Sequence, residues 1–282
     1  MPHIIACIDG SVYTRSVVDH AAWAASRTNS SVELFQILKG READTSDLSG
    51  AIAIDAQQAL LTELAALDAA RAKILQKHAR QLMDEEKSHL LAASVANVRV
   101  SLRHGDFLET LAQREASADM VVIGKRGEAA DFAKLHLGSN LERVVRASRK
   151  PVLIAARAFR PINNVLIAFD GGPSALKVID HVARSPLFAG LALRVVMVGG
   201  DAAAARQQLN AAAATLKVGG HTAEVHHQPG VADQVITAEV AAGGIDLLVM
   251  GAYGHSRIRT LIIGSTTSEM IRSCKIPILL VR

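Results

Sequence analysis

Two stretches of this chain combine the residue types that a phosphate group needs. In the later one, an apolar run from Asp246 to Met250 breaks at Gly251, Gly254 follows two residues on, and nine residues then separate it from Gly264, Ser265, Thr266 and Thr267. In the earlier one, Val121-Val-Ile leads to Gly124 and Gly127, and ten residues separate Gly127 from Gly138, Ser139 and Asn140. Glycines let backbone N–H groups come close to a ligand. A helix start beside them offers unpaired N–H groups and the positive end of a dipole. Taken singly, such a stretch is more often a structural loop, and serine after glycine is the ordinary N-cap. Each copy also carries an aspartate five residues before its first glycine, Asp119 and Asp246. Self-similarity over this length is the mark of a duplicated unit.

The surrounding elements repeat as well. Runs at His3 to Ile8, Ser31 to Leu38, Val98 to Leu102, Val121 to Gly124 and Val152 to Ile154 read as strands; Ser11 to Ser26, Phe107 to Ala116 and the segment opened by Ser139 read as helices. Residues 51 to about 92 contain no glycine or proline, and Leu60, Leu64, Leu67 and Ile74 recur at helical spacing. One long amphipathic helix or two broken ones is expected there. After Pro161 the pattern returns, with strands at Asn164 to Phe169, Leu191 to Val198, Thr222 to His227, Asp246 to Met250 and Ile278 to Val281. Five strands alternate with four helices, twice. That order implies parallel pairing with right-handed crossovers, a doubly wound sheet in each half. Domains are expected at 1–156, with a long helical insert, and at 163–282, joined by a linker at 157–162.

In such a fold the ends of the first and fourth strands meet where the strand order reverses, and ligands bind beyond those ends. Asp9 and Asp170 end the two first strands; Gly124 and Gly251 end the two fourth strands. A carboxylate there suits ribose hydroxyls, and the glycine loop suits a phosphate chain. Either aspartate alone is equally an Asx turn before a helix; the recurrence of both beside a glycine loop favours ligand contact. Neither the dinucleotide fingerprint G-x-G-x-x-G nor a P-loop occurs after a first strand.

Composition narrows the remaining classes. Half of the 282 residues are hydrophobic, 3% are aromatic and the formal charge is +4. A mildly basic chain with few aromatics and no dense Lys/Arg block gives little support to nucleic-acid binding. Arg143, Arg146, Arg149 and Lys150 fall late in a helix, where cations oppose the dipole. Cys7 and Cys274 fit no metal or redox spacing, and two buried thiols in a reducing cytosol are expected. No secretory signal and no membrane-spanning run is read, so a cytoplasmic location is expected. Catalytic groups are sparse. His226 and His227 fall on opposite faces of a strand, His255 stands alone in a loop, and no nucleophile–base–orienter set is evident.

The motif Asp170-Gly, Met250-Gly251-Ala-Tyr-Gly254, nine residues, Gly264-Ser265-Thr266, closed by a Pro-Ile-Leu-Leu-Val strand, resembles the universal stress protein family. The resemblance spans nearly the whole chain as two tandem domains. It implies a Rossmann-like α/β fold, each domain a five-stranded parallel sheet of order 3-2-1-4-5. It implies ATP or ADP as ligand, with Mg2+ as a companion ion. In the second domain the base and ribose would lie near Ala168, Phe169, Asp170, Val198 and Met250. The phosphates would lie at Gly251, Gly254, Gly264, Ser265, Thr266 and Thr267. A weaker first-domain site would use Cys7, Ile8, Asp9, Ile37, Ile123, Gly124, Gly127, Gly138, Ser139 and Asn140. That copy departs from the pattern by one loop residue, and Lys125 and Arg126 there are expected to point into solvent. The resemblance further implies regulation of a protein partner, with slow ATP hydrolysis at most. The alternative is an adenylating or ATP-hydrolysing enzyme of a related fold, but those resemble S-G-G-x-D-S loops, against Asp9-Gly-Ser and Asp170-Gly-Gly-Pro here. Single-domain relatives resemble dimers joined through their last strands. Val152 to Ala155 and Ile278 to Val281 are therefore expected to pair within one chain as a pseudo-dimer, since each would otherwise be an exposed edge. A homodimer of whole chains would use another surface, such as the helix around Leu60 to Ile74.

Overall fold

The computed structural model describes residues 2–38, 54–126, 138–252 and 264–282. The connection containing Gly40 and Gly50 lies outside them. The first half runs β1 (His3–Cys7), α1 (Thr14–Thr28), β2 (Ser31–Leu38), α2 (Ile54–Ala92), β3 (Val98–His104), α3 (Phe107–Glu115), β4 (Met120–Gly124), α4 (Ser139–Ala147) and β5 (Val152–Ala155). The second runs β6 (Asn164–Ala168), α5 (Pro173–Arg184), a 3-10 turn (Pro186–Phe188), β7 (Ala192–Val198), α6 (Ala202–Val218), β8 (Ala223–Gln228), α7 (Ala232–Ala241), β9 (Leu247–Gly251), α8 (Ser265–Ser273) and β10 (Ile278–Val281).

The strands alternate between two cores, as period two requires. Ile4, Ala6, Val122, Leu153 and Leu279 pack on one face with α1, α2, α5 and α6. Ile5, Cys7, Val121, Ile154 and Leu280 pack on the other with α3, α4, α7 and α8. Burial on both faces explains why the central strands read as unbroken apolar runs. Both cysteines are free and buried.

All ten strands form one sheet, in the order β3-β2-β1-β4-β5-β10-β9-β6-β7-β8. Each half has the order 3-2-1-4-5, and the second is the mirror of the first. Neighbours within a half are parallel; β5 and β10 pair antiparallel, with Ile278 opposite Ile154 and Leu280 opposite Val152. The last strands thus pair within the chain as the edge argument requires, and the halves are related by a pseudo-twofold axis. Both α1 and α5 pack in the same core, so the axis runs across the sheet rather than along it.

Cations cross the seam in both directions. The Arg282 guanidinium donates to the carbonyls of Val145, at 2.8 Å, and Arg146 at the end of α4. The Lys125 ammonium, following β4, donates to the Cys274 carbonyl at the end of α8. Each relieves unpaired carbonyls and opposes the dipole of a helix in the other half. Lys125 therefore does not project into solvent as its loop position suggests. It is drawn into the seam, where burial pushes its pKa down. On the α1 face, Arg27 Nε donates to Leu187 O at 2.6 Å, tying α1 to the 3-10 turn of the second half.

Carboxylates, from exposed Asp119 to buried Glu115, secure strand starts and turns. Asp119 Oδ2 accepts from His3 N at 2.8 Å, and Asp246 Oδ2 from Asn163 N and Asn164 N, both at 2.9 Å. The aspartates that mark the repeat are thus clamps on the first strand of each half. Glu115 accepts from the Arg149 and Lys150 backbone N–H groups before β5, at 2.8 and 2.9 Å. Arg149 and Lys150 therefore belong to a backbone turn held by Glu115. Glu33 is buried in β2 beside His3 Nε2, 3.2 Å away, and Arg114, 3.7 Å away.

Helix α2 is one helix of 39 residues. Only its end nearest β3 docks on the sheet, through Ala79, Met83 and Leu90. No helix among the described residues is long and apolar enough to cross a membrane.

Two outcomes are expected. Leu279→Ala removes a fully buried side chain paired with Leu153 and Val249, so urea denaturation should show a loss of about 2–5 kcal/mol. That loss should come as one transition reporting both halves; two separated transitions would contradict a shared seam. For Glu33, the His3 hydrogen bond foremost, then Arg114, holds the folded carboxyl below its ordinary value of 4.5, against the opposing effect of burial. A depressed carboxyl pKa gives stability that is complete above the unfolded value and is lost as pH falls through the folded one. Glu33→Gln should therefore flatten the fall in thermal midpoint below about pH 4.5, and an unchanged slope would contradict the pairing.

Candidate functional site

Each half has one place where strand order reverses. In the first it lies between β1 and β4, paired from Ile4 opposite Met120 to Cys7 opposite Ile123. In the second it lies between β6 and β9, paired from Val165 opposite Leu247 to Ile167 opposite Val249. Neighbouring helices leave from opposite faces there, opening a crevice at the carboxyl ends of the strands. Of the expected site residues, Gly127 and Gly254, with His255, lie outside the described residues.

The two aspartates make the same turn. Asp9 Oδ1 accepts from Ser11 N at 3.0 Å and Asp170 Oδ1 from Gly172 N at 2.9 Å. Gly10 and Gly171 take φ of +78° and +75° between them, a conformation that costs a residue with a side chain. The Asx turn delays α1 to Thr14, three residues beyond the start expected at Ser11. Turn and ligand contact are compatible, since one carboxylate oxygen makes the turn and both aspartates are exposed.

The strand residues contribute mainly backbone. Phe169 and Ile8 are buried in one core; Met250, Cys7 and Ile123 are buried in the other. The Phe169 N–H is taken by Val196 O at 2.9 Å. Ala168, Val198 and Ile37 are half-buried. The Cys7 thiol is held far above its ordinary pKa by burial first, then by the charge of Asp9.

The helix starts carry the main chemistry. Gly264 caps α8 and Gly138 caps α4, and neither has a side chain to satisfy the first N–H groups. Ser265 is exposed at the start of α8, with Thr266 half-buried beside it and Asn140 half-buried on α4. Thr267 behaves differently from its expected role. It is buried, and its hydroxyl donates to Gly251 O at 3.2 Å, fastening the helix start to the end of β9. The hydroxyls open to an anion are therefore Ser265 and Thr266.

The two crevices differ at a position that the sequence did not bring forward. A Cβ on Gly124 would lie 2.8 Å from Tyr13 Cβ, so the first glycine loop has a packing reason for its glycine. Counted from the aspartate, the matching residue in the second half is Ser174. It is small, and its hydroxyl is buried without a partner among the described residues. Tyrosine crowds the first crevice where serine leaves room in the second. Both turns are flanked by a helix: a Cβ on Gly10 would stand 3.6 Å from Leu82 of α2, and one on Gly171 would stand closer still to Gln208 of α6.

The adjacent histidines of β8 face different partners. His227 Nε2 pairs with Gly199 O at 2.9 Å and His226 faces Glu224 at 3.8 Å. Among the described residues no group of three or more His, Cys, Asp or Glu could hold a metal ion.

Comparison with known proteins shows what this arrangement belongs to. The universal stress protein family model matches residues 1–156 and again 161–282. A universal stress protein of Synechocystis sp. is 36% identical over 287 residues, covering 100% of both chains. The crystal structure of a universal stress protein from Archaeoglobus fulgidus superposes with a TM-score of 0.74 at 19% identity, covering 99% of this chain and 98% of that one. A universal stress protein solved in complex with cAMP matches 44% of this chain and 98% of its own, at 22% identity and a TM-score of 0.38.

The hydroxyls at the start of α8 separate by a stability measurement. Thr267→Val keeps the shape and removes the bond to Gly251 O, so the urea midpoint should fall by the equivalent of about 1 kcal/mol. Ser265→Ala, at an exposed position, should leave it within about 0.5 kcal/mol. Equal losses would contradict the division between a structural and an open hydroxyl.

Proposed function

The chain belongs to the universal stress protein family, and on that premise we propose that it is an adenine-nucleotide-binding regulatory protein whose second domain holds ATP or ADP. The observation that carries this is the glycine-capped start of α8. Among the described residues no side chain caps its first N–H groups, and Ser265 and Thr266 present open hydroxyls beside the reversal point where Asp170 follows β6. Such a start accepts phosphate through backbone N–H groups and the helix dipole. The exposed Asp170 carboxylate suits ribose hydroxyls, and the glycine-bounded loop suits close approach of the phosphate chain.

The first domain has the same turn and the same glycine cap. With Tyr13 against Gly124 and a glycine loop one residue longer, it is the weaker site. Mg2+ fits as an ion carried in on the phosphates, since Mg2+ keeps several waters and needs only one or two protein carboxylates. With no nucleophile–base pair beside the loop among the described residues, the reading is binding and regulation in the cytoplasm, with slow ATP hydrolysis at most.

Mass spectrometry of small molecules released on denaturing the purified protein should identify ATP or ADP. In calorimetry of the nucleotide-free chain, Asp170→Asn keeps an oxygen for the Asx turn and removes the charge. It should weaken ATP about ten-fold, the difference between a charged and a neutral hydrogen bond. Asp9→Asn should change the tighter site by less than about two-fold. The reverse pattern would move the main site to the first domain, and no ATP binding in the wild type would overturn the proposal.

A further inference from the structure

Helix α2 carries two apolar stripes on different faces. Near β3 the buried side chains Ala79, Met83 and Leu90 face the sheet. Between residues 61 and 78 the helix leaves the sheet, and only Asp68 and Gln76 among these residues are not exposed. The face continuing the buried stripe there holds Leu61, Ala65, Asp68, Ala72 and Gln76, mostly small or polar. The other large apolar residues fan out over the adjoining face, from Leu75 and Leu64 to Leu67 and Ile74, and Leu61, Leu64, Leu67, Ile74 and Leu75 are 54%, 37%, 61%, 68% and 48% exposed. Isolated exposed leucines are ordinary, but five large apolar side chains over ~21 Å of helix form a broad seam.

The seam has coiled-coil spacing, with Leu64, Arg71 and His78 at one core position of the heptad and Leu67 and Ile74 at the other. Charges then discriminate among partners. In a parallel pair of identical helices, Arg71 would meet Arg71 in the core and Glu63 would flank Asp68, both like-charged. In an antiparallel pair, Leu64 meets Ile74 of the second copy and Leu67 packs beside its Arg71. Leu61 then flanks Leu75 and Glu63 flanks Lys77, each twice by symmetry, while Asp68 meets its own copy across the axis with an Arg71 beside each. Glu63 and Lys77 are both exposed, so the geometry is available to them. We infer that the projecting half of α2 is a self-association surface and that its occupant is the same segment of a second copy, antiparallel. The pseudo-twofold seam leaves this surface unused, so the product is a dimer of tandem chains.

The test uses the full chain in sedimentation equilibrium over a concentration series. Wild type should dimerise, and Leu67→Glu, at an exposed position, should be monomeric with an unchanged thermal midpoint. Glu63→Lys alone and Lys77→Glu alone should each weaken the dimer on the order of ten-fold, and the double charge swap should restore it. Mixing Leu64→Cys with Ile74→Cys should give the mixed disulfide in preference to either homodimer, because Cys7 and Cys274 are buried and do not compete. A wild type that stays monomeric overturns the inference, whether the stripe is covered by residues 39–53 or by an unrelated protein. A strengthened Glu63→Lys dimer, or cross-linking of position 64 to itself, overturns the antiparallel arrangement.

Discussion

The antiparallel pairing of β5 with β10 is the contact on which the rest of this structure depends. A five-stranded sheet of order 3-2-1-4-5 ends in an open strand, and here that strand is apolar on both faces. Left alone, it would present unpaired N–H and C=O groups beside Val152 and Ile154, a template for aggregation. Because β5 and β10 close each other's edges, the open strands move to β3 and β8 at the two ends of the ten-stranded sheet. Those strands are half-exposed and carry Arg99, Arg103, Glu224 and His226, the charged character that blunts an edge.

The pseudo-twofold axis also explains pairs of features that are obscure one at a time. The ends of α4 and α8, which the axis relates, each receive a cation from the other half, Arg282 after β10 and Lys125 after β4, from positions the axis does not relate. His20 on α1 and His181 on α5 follow the matching sequences Val17-Val-Asp and Val178-Ile-Asp. Both have pKa values pushed down by burial, and both pack edge-on against a phenylalanine, Phe159 and Phe188. The phenylalanines come from unrelated places, one in the linker and one in the 3-10 turn. The duplicated unit supplied the histidine, and each half found its own way to enclose it.

Much of this was legible in the sequence because it depends on periodicity. Strands buried on both faces show as apolar runs, helices show at 3.6 spacing, and the repeat shows in Asp119 and Asp246. What those aspartates do was not legible, because a clamp on the next strand is a contact between elements distant in the chain. Lys125 was misread for the same reason: its partner is 149 residues away. Thr267 stands in a run of three hydroxyls, and only the helix phase turns it inward while Ser265 stays open. The crowding of Gly124 by Tyr13 had no sequence signal at all, since nothing in the spacing of a first helix says which side chain leans over the fourth strand.

Covalent duplication changes what substitutions can do. In a symmetric dimer of single domains every change appears in both crevices, so a residue that crowds one crowds both. Here the halves vary separately. Tyr13 stands where the second half has Ser174, the first loop is one residue longer, and α2 runs 39 residues where the matching α6 runs 17. The seam tolerates these differences because the strands that pair there, β5 and β10, keep apolar residues opposite one another in both halves. One half is thus free to keep an open helix start with its aspartate. The other fills its crevice and extends a helix away from the sheet, without either change weakening the contact that holds both halves in one sheet.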